Sequence, residues 1–373
     1  MRPIRVASIF GPAKPAHDGG RMTWLRSPRF HALAGLALAV SGLLLGATSA
    51  FAETRVGGTL QGMTTWTKQG SPYIVTSDLT VGRSATLKIG PEVTVRFKPN
   101  IPSRGGINEF DLELWVKGTL IIEGADGDST KGVIFTSDAS TPRWEDWQGI
   151  VIDGPTAKLV AKNALIEYAL QGVRTMDGTV DAKKVTVRHC MQDGFRFIRG
   201  KGTLDGVIVS DIGNTGGTGM GINLESASKV DILNSSVISV QNGIAYSQES
   251  GGKLHDSTVT MCISRGVIIH NANPDVHGCT ITGNEIGIIV SGGANPTVHG
   301  NNLFENHMAD VEVKPYDTDV KLDFTRNWWG ESTVGLIEER ILDGMDDPSK
   351  KAVVLVDPAL TNSITEGAPA GKP

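Results

Sequence analysis

The 373-residue sequence predicts an all-β protein in which the chain winds as one coil of stacked parallel strands. Two repeated markers predict this fold. A Val or Leu begins a similar segment at nearly regular intervals, and a small residue before an apolar one returns with nearly the same period. Because the two markers keep one register, they indicate a repeated structural unit. The starting residues are Leu159, Val180, Leu204, Val230, Leu254, Val276, Val298 and Val320, and the small residues are Gly172, Gly194, Gly221, Gly243, Gly266, Gly287 and Ala309.

The composition of one unit indicates strands rather than helices. In VHGCTITGNEIGIIVSGGANP, apolar residues alternate over short stretches that Gly, Asn and Pro separate. Alternation is typical of strands with one buried face, and these separators are typical of turns. Because three short strands and three turns fit in about 22 residues, the sequence predicts a three-sided solenoid of about eleven coils.

Residues 1–52 are predicted to be a signal peptide with a superfluous N-terminal extension. Arg26 and Arg29 precede an apolar run, and Ala50-Phe51-Ala52 has the small-x-small pattern of a cleavage site. We expect export by the general secretory route, with cleavage after Ala52 and a start at Met1 or Met22. An uncleaved membrane anchor is the alternative interpretation.

The rest of the chain divides into four parts. Residues 53–158 are predicted to form the N-terminal cap and the first coils, and 159–330 the regular repeats. Residues 331–360 are predicted to be a C-terminal cap, since 332–342 has a helix-compatible apolar pattern and 352–358 reads as a strand. Residues 361–373, rich in Gly, Pro and Ala, are predicted to be a disordered tail.

Charge and cysteine content restrict the partners. Without residues 1–52 the chain has 29 basic and 39 acidic residues, a formal net charge of −10. Nucleic acids and anionic membranes bind basic surfaces, so neither is expected as the main partner. Cys190, Cys262 and Cys279 are expected to be small buried apolar residues, and an odd number leaves at least one of them unpaired.

Several segments resemble a known family. The repeats, together with the segments at 58–97, WQGIVID at 147–153 and RNWWG at 326–330, resemble right-handed parallel β-helix proteins of the pectate-lyase-like superfamily. Among these they are similar to an exported bacterial family mostly without assigned function. The resemblance implies a single right-handed coil with a short C-terminal capping helix. It implies no one activity, because this fold carries lyases, hydrolases, epimerases, adhesins and copper-insertion accessory proteins.

Aligning the predicted coils places polar residues in a column. The residue after each leading Val or Leu is expected to point outward, and coils lie about 4.8 Å apart. We expect one column of three carboxylates, three imidazoles and an amine. Its members are Asp181, Asp205, Asp231, His255, His277, His299 and Lys321.

Three functional interpretations of this column compete with a plain polar surface. The three aspartates could hold Ca²⁺, which prefers oxygen ligands. The three histidines could share a transition metal such as Cu or Zn. Mixed Asp, His and Lys side chains could supply acid and base groups for a glycan. No cofactor is required by any motif, and neighbouring lysines such as Lys183 could neutralise the aspartates instead.

Two further regions are candidate binding sites. Trp144 and Trp147 could stack on sugar rings or pack into the fold. The longest unit has its extra residues at 210–221, and this loop is expected to form one wall of a groove near Asp193, Arg196 and Asn242. No catalytic residue is assigned, because the Asp and His motifs of the known carbohydrate-active β-helix enzymes are missing.

The sequence therefore favours an exported, non-catalytic β-helix that binds a polysaccharide or an envelope protein in the periplasm or at the cell surface. One alternative is a polysaccharide lyase, hydrolase or epimerase that acts on an acidic glycan. Another is a periplasmic metal-handling protein of the copper-accessory kind.

Overall fold

The fold is a right-handed parallel β-helix, as a computed structural model of the chain shows. The structure describes residues 53–103, 105–125, 127, 129–213 and 219–365. All registered strand pairs are parallel, and 29 strands belong to one continuous hydrogen-bonded sheet. The predicted fold class is confirmed, while the predicted leader at 1–52 and the tail end at 366–373 lie outside the described residues.

The first half of the coil is made of long and short strands in regular order. They are β1 (Thr54–Leu60), β2 (Met63–Trp66), β3 (Tyr73–Val81), β4 (Thr86–Ile89), β5 (Thr94–Phe97), β6 (Glu113–Val116), β7 (Thr119–Glu123), β8 (Val133–Ser137), β9 (Gly149–Asp153), β10 (Lys158–Glu167), β11 (Gln171–Met176), β12 (Thr179–Cys190), β13 (Asp193–Ile198), β14 (Lys201–Asp205), β15 (Ile208–Ile212) and β16 (Met220–Glu225).

The second half has shorter strands and the only α-helix of the described residues. Its elements are β17 (Lys229–Leu233), β18 (Ser236–Ile238), β19 (Asn242–Ser247), β20 (Lys253–His255), β21 (Thr258–Thr260), β22 (Arg265–His270), β23 (Asp275–His277), β24 (Thr280–Thr282), β25 (Ile286–Ser291), β26 (Thr297–His299), β27 (Asn302–Phe304), β28 (Ala309–Val313), β29 (Val320–Asp323), α1 (Val334–Glu338), β30 (Ile341–Leu342) and β31 (Ala352–Leu355). Single 3-10 turns lie at Lys68–Gly70, Ser129–Lys131 and Pro348–Lys350.

The 29 strands of this continuous sheet form three sides of the coil, which we call sheets I, II and III. The sides are connected because β1, β3, β10 and β12 each pair with strands on two of them. Sheet I contains β2, β4, β7, the first halves of β10 and β12, β14, β17, β20, β23 and β26. Sheet II contains the first halves of β1 and β3, β5, β8, the second halves of β10 and β12, β15, β18, β21, β24 and β27. Sheet III contains the second halves of β1 and β3, β6, β9, β11, β13, β16, β19, β22, β25, β28 and β30.

The core lies inside the coil and is built from stacked apolar side chains. On sheet I one inward column is almost completely buried along its whole length. Stacked aliphatic side chains of this kind bury apolar area in every coil, which is the main source of stability in a solenoid. The column consists of Ala161, Ala182, Leu204, Ile232, Leu254, Val276 and Val298.

The corner between sheets I and II explains the repeated phrase VHG. In both copies Val is buried and the following Gly has a positive φ, +68° at Gly278 and +65° at Gly300. Glycine adopts this left-handed conformation without steric cost, so it suits a sharp corner. The phrase therefore places a core residue, an outward residue and a turn in sequence, once per coil.

The C-terminal cap differs in detail from the prediction. The predicted helix at 332–342 is only α1, and Ile341 and Leu342 instead form β30, which pairs with β28 of sheet III. The predicted strand at 352–358 is β31, which pairs with β29. The helix prediction failed at its end because two apolar residues were needed to cover the last strand of the sheet.

Candidate functional site

The predicted outward column on sheet I is wrong in register at two coils. The prediction places Val180 beside Leu204 and Val230 beside Leu254. The structure pairs Leu204 with Ala182, and Leu254 with Ile232. Every strand here alternates apolar and polar residues, so a shift of two residues keeps the same face and the sequence pattern does not reveal it.

The shift splits the aspartates between two columns. Asp181 and Asp231 lie on either side of Thr203 in one column. Asp205 lies in the other column, between Lys183 and Leu233, and that column continues to His255. The predicted stack of three carboxylates therefore does not form, and the structure gives Ca²⁺ no such stack to bind.

Each of these aspartates has a partner nearby. Lys158 Nζ lies 3.0 Å from Asp181 Oδ2, and Lys183 Nζ lies 2.7 Å from Asp205 Oδ2. The hydrogen bond from Lys183 lowers the pKa of Asp205. The backbone N–H of Lys253 donates to Asp231 Oδ1 at 2.9 Å. These acids are thus compensated locally.

The three histidines form a column, as expected. His255, His277 and His299 are successive Cα partners on β20, β23 and β26. The rings of His255 and His277 are stacked, with centroids 5.2 Å apart and planes 7° apart. Lys321 does not follow His299 in the column, because the residues that contact the ring of His299 are Thr325 and Asp323. Among the described residues, no group of three or more His, Cys, Asp or Glu side chains is arranged to hold a metal ion.

The two candidate tryptophans have different positions. Trp147 is fully buried, stacks on Phe97 with ring centroids 4.0 Å apart, and donates its Nε1 proton to Glu167 O at 2.9 Å. It therefore packs the core and does not contact a sugar. Trp144 is half-buried at the surface, 6.1 Å from the ring of His189. Only Trp144 remains a candidate for sugar stacking.

A depression lies around Trp144. It has a volume of about 840 Å³ and is formed by the loops that follow β5 and β8. Phe110 on its border is 78% exposed. Its lining residues are Pro99, Asn100, Phe110, Asp111, Ala139, Ser140, Thr141, Arg143, Trp144, Glu145 and Asp146.

A second depression lies on the outer face of sheet III, and we call it the sheet III groove. It has a volume of about 400 Å³, and Glu145 lines both depressions. Of the predicted groove residues, Asp193 and Arg196 line it. The predicted loop at 210–221 contributes Gly219 and Met220 to the lining. Residues 214–218 of that loop lie outside the described residues. The lining residues are Glu145, Met191, Gln192, Asp193, Arg196, Gly219, Met220 and Asn223. Asn242 does not line it.

Charged side chains of adjacent strands meet beside this groove. Arg196 Nε donates to Glu225 Oε1 at 2.6 Å, and Arg196 Nη1 lies 3.7 Å from Asp193 Oδ2. Arg174, the Cα partner of Arg196, donates to Gln171 Oε1 at 3.2 Å. Within the described part of the chain Arg174 has no carboxylate partner at salt-bridge distance, and its Nε has no hydrogen-bond partner.

Burial raises the pKa of several carboxyl groups near the two depressions and along sheet III, and Asp193 and Glu113 are shifted the most. Burial raises the pKa of Asp193 to about 6, although Arg196 and a hydrogen bond from Gln171 at 2.8 Å favour its charged form. Burial likewise raises the pKa of Glu113 to about 7. Both groups therefore exchange protons near neutral pH, a property typical of functional sites.

Sequence reasoning missed Arg174 and Glu113. Neither belongs to a motif, and Arg174 reads as an ordinary outward residue of an alternating strand. A signal for Arg174 exists only after the coils are aligned, because Arg174 and Arg196 then become neighbours. For Glu113 no sequence signal is evident, since its burial depends on the loop at 105–111, where Ile107 N donates to its carboxylate at 3.1 Å.

The three cysteines are buried free thiols, as the sequence suggested. Burial raises the pKa of each to about 12, so all three are protonated and unreactive near neutral pH. The described residues contain no helix of the length and hydropathy that a membrane span requires.

Comparison with family models agrees with the fold. Residues 171–327 match a family model described as right handed beta helix region. The A-module of the mannuronan C-5 epimerase AlgE6 from Azotobacter vinelandii superposes with a TM-score of 0.45 and 12% sequence identity, covering 82% of this chain and 88% of that chain. No curated protein sequence matches the chain.

Proposed function

We propose that this β-helix is an exported protein of the bacterial cell envelope that binds an acidic polysaccharide in the sheet III groove. The observation that carries the proposal is the pair of arginines, Arg174 and Arg196, on adjacent strands beside this groove. Cations directly opposite each other in a sheet repel. An anionic group bound between them would offset this repulsion.

The chemistry of the two side chains favours a carboxylate or sulfate ligand. The guanidinium group presents a rigid fork of donors that matches such anions in a bidentate manner. Arg196 is shared with Glu225 and Asp193, whereas Arg174 has no carboxylate partner among the described residues. Glu225, Asp193 and Glu113 interact with Arg174 only through longer-range electrostatics, so Arg174 is the arginine that a bound anion can contact directly.

The neighbouring depression extends the surface in a way that suits a sugar chain. Trp144 and Phe110 offer flat apolar faces there, and Glu145 connects it with the groove. Sugar rings commonly stack on such faces, while polar side chains bind their hydroxyl groups. A polymer that spans both depressions would contact several coils, which suits a rigid solenoid.

Export is part of the proposal and is supported by the sequence of residues 1–52. The basic residues, the apolar run and the Ala50-Phe51-Ala52 pattern are those of a secreted precursor. N-terminal sequencing of the mature protein from cell fractions should give Glu53 as the first residue, in the periplasm or at the cell surface. A mature chain that still carries residues 1–52 in the cytoplasm would contradict this part.

The binding test compares acidic with neutral polysaccharides. We expect polygalacturonate, alginate or hyaluronan, but not dextran, to bind in affinity electrophoresis and calorimetry. Arg174→Ala and Arg196→Ala should each weaken binding about tenfold to a hundredfold, because loss of a charge-assisted hydrogen bond costs about 1.5 to 3 kcal/mol.

The matched control is Arg199→Ala. Arg199 is exposed and bonded to Asp177 at 2.7 Å, away from the groove lining. This variant should bind like the wild type. Equal losses in all three variants would indicate a general charge effect and would contradict a site at the groove. Failure of all acidic polymers to bind would favour an envelope protein as the partner.

A second candidate function is catalysis on the same polymer. The specific observation is Asp193, a groove residue with a pKa of about 6, which could accept or donate a proton near neutral pH. Unsaturated uronic acids, reducing ends or epimerised residues released from the acidic panel, and lost in Asp193→Asn, would establish an enzyme. Binding without any of these products supports the non-catalytic function.

A further inference from the structure

Three aromatic rings meet at the corner that connects sheets II and III. The rings of Tyr168 and His189 stack with centroids 5.3 Å apart and planes 20° apart, and the ring of Trp144 lies 6.1 Å from that of His189. The three side chains belong to successive coils and are all partly exposed. We call Trp144, Tyr168 and His189 the ring cluster.

The ring cluster lies where the two depressions approach each other. Trp144 lines the first depression, and Met191, just after the corner at His189, lines the sheet III groove. Tyr168 belongs to the coil between them, where its carbonyl oxygen accepts from Asp146 N at 3.0 Å. A polymer that spans both depressions therefore crosses the coil of Tyr168.

Two rings of the cluster have polar atoms that remain available to a ligand. Tyr168 Oη and Trp144 Nε1 form no hydrogen bond within the part of the chain that the structure describes. Each of these atoms can donate one hydrogen bond, and the Tyr168 oxygen can also accept. An apolar ring with a free polar atom at its edge is the kind of side chain that is enriched at interfaces.

The backbone of Tyr168 has a conformation that is unfavourable for a bulky residue. Its φ is +61°, and the corner residues of later coils also have a positive φ. The corner does not require an aromatic ring, since Asp211, Ser239 and Gly283 occupy it in those coils. Asp, Asn and Gly adopt this region more easily than Tyr does. Strained residues of this kind cluster at ligand sites.

We propose that a pyranose ring of the bound polymer packs on the ring cluster, and that Tyr168 thereby makes the site selective for uronic-acid polysaccharides over other polyanions. This inference rests on the function proposed above. Arg174 and Arg196 attract a polymer of carboxylates whether or not it contains sugar. The apolar face of a sugar ring gains additional contact with an aromatic ring, and selectivity is this difference in affinity.

The test compares polygalacturonate with polyglutamate, which has carboxylates but no sugar rings, in calorimetric titrations of the full chain. The wild type should bind polygalacturonate about tenfold more tightly per anionic group, the upper end of what one ring contact contributes. Tyr168→Asn should remove this preference by weakening the binding of polygalacturonate alone. Tyr168→Phe keeps the ring and should keep the preference, whereas Arg174→Ala should weaken the binding of both polymers.

Met261→Asn is the matched control for the corner. Met261 occupies the same corner position four coils after Tyr168, with φ +55° and 60% of its surface exposed. This variant should bind both polymers like the wild type.

Thermal unfolding separates a ligand contact from a packing role. The unfolding midpoint of Tyr168→Asn should equal or exceed that of the wild type, because Asn tolerates the positive φ. A lower midpoint with unchanged affinity for polygalacturonate would show that Tyr168 only packs the corner. Equal affinity of the wild type for the two polymers, or an equal loss for both in Tyr168→Asn, would overturn the inference and leave the arginine site in place. Binding of neither polymer would overturn the proposed function as well.

Discussion

The inward and outward residues of the repeated segment NPDVHG have different structural roles. In NPDVHG, Val276 is completely buried, His277 faces solvent, and Gly278 adopts φ +68° at the corner. The same corner in other coils uses Asn234 or Asp256 with φ near +50°. Asn and Asp tolerate this region better than other non-glycine residues. The corner therefore accepts several sequences, whereas the buried position accepts only apolar side chains.

At the residue scale, Asp193 makes a testable contribution to the pH dependence of stability. Its pKa is about 6 in the folded chain and about 3.9 in an unfolded one. Between these values the folded chain binds more protons. The contribution of Asp193 to the free energy of unfolding is thus present at low pH and is lost as the pH rises through about 6.

Asp193→Asn removes this titration. Between about pH 4 and about pH 8, the wild type should lose about 2 to 3 kcal/mol of unfolding free energy that the variant retains. Urea unfolding of both proteins at several pH values measures the difference, and groups that titrate in both proteins cancel. Parallel pH profiles for the two proteins would show that Asp193 ionises as freely in the folded chain as in the unfolded one.

At the scale of the strand, glycine is required where seven successive coils enter sheet III, from Gly149 to Gly287. A Cβ on Gly243 would lie 2.1 Å from Gly266 O, and a Cβ on Gly266 would lie 2.6 Å from Gly287 O. The sequence predicts this column with Ala309 at its end. The structure pairs Ala309 with Ile286, so Asp310 occupies that place.

Gly243→Ala should therefore be strongly destabilising. The added Cβ meets a backbone carbonyl and Val259 Cγ1, at 2.1 and 2.8 Å, and both belong to packed coils. We expect a loss of about 3 kcal/mol or more, because an overpacked core forces backbone shifts. Thermal and urea unfolding measure it.

Gly335→Ala is the control for a glycine without this constraint. Gly335 lies in α1, and no atom is within 4 Å of its added Cβ. The substitution should be neutral or stabilising by up to about 1 kcal/mol, since Ala favours helices. Similar effects of the two substitutions would show that close coil contact is not the reason for the glycine column.

Buried polar side chains form ladders of hydrogen bonds between successive coils, and one of these ladders includes the backbone of Cys279. Asn301 Oδ1 accepts from Cys279 N, and Asn327 Oδ1 accepts from Asn301 N, each at 2.9 Å. Ser257 occupies the equivalent place one coil earlier, where it accepts from Ser235 N at 3.1 Å. Cys279 thus stands in a ladder of small side chains at the corner. The burial of Cys279 and its place in this ladder explain its presence without any redox role.

At the scale of the whole β-helix, the unpaired edges of the last strands must be covered. β30 pairs with β28, and β31 pairs with β29, so residues after 330 cover two strand edges. The segment before the tail end also packs on sheet II, where Ile364 N and Asn302 Oδ1 are 2.9 Å apart. Uncovered parallel strands would pair with other chains.

Truncation tests this role of the cap. A chain that ends at Gly330 should form oligomers or aggregates, whereas one that ends at Thr365 should remain like the full protein. Light scattering coupled to size-exclusion chromatography distinguishes these states. A soluble monomer from the shorter chain, with unchanged unfolding temperature, would show that the cap is dispensable.

The fold was predictable because repetition in the sequence reports repetition in space. Regular Gly, Asn and apolar positions determined the parallel coil, the length of its repeat and the long loop after β15. The stacking of His255 on His277 followed from the same period, since the coils that begin at Leu254, Val276 and Val298 are equally spaced and contain no insertion.

What only the tertiary structure decided is the register and the sites that depend on it. Val180 and Ala182 are both inward residues of β12, and alternation alone does not tell which of them lies beside Leu204. In the observed register, Asp181 and Asp231 lie in a different column from the histidines. Burial by distant loops likewise raised the pKa of Glu113, and the neighbourhood of Arg174 and Arg196 exists only between coils. A sequence determines period and polarity locally, whereas contacts between coils depend on packing between residues that are a full turn of the coil apart in the chain.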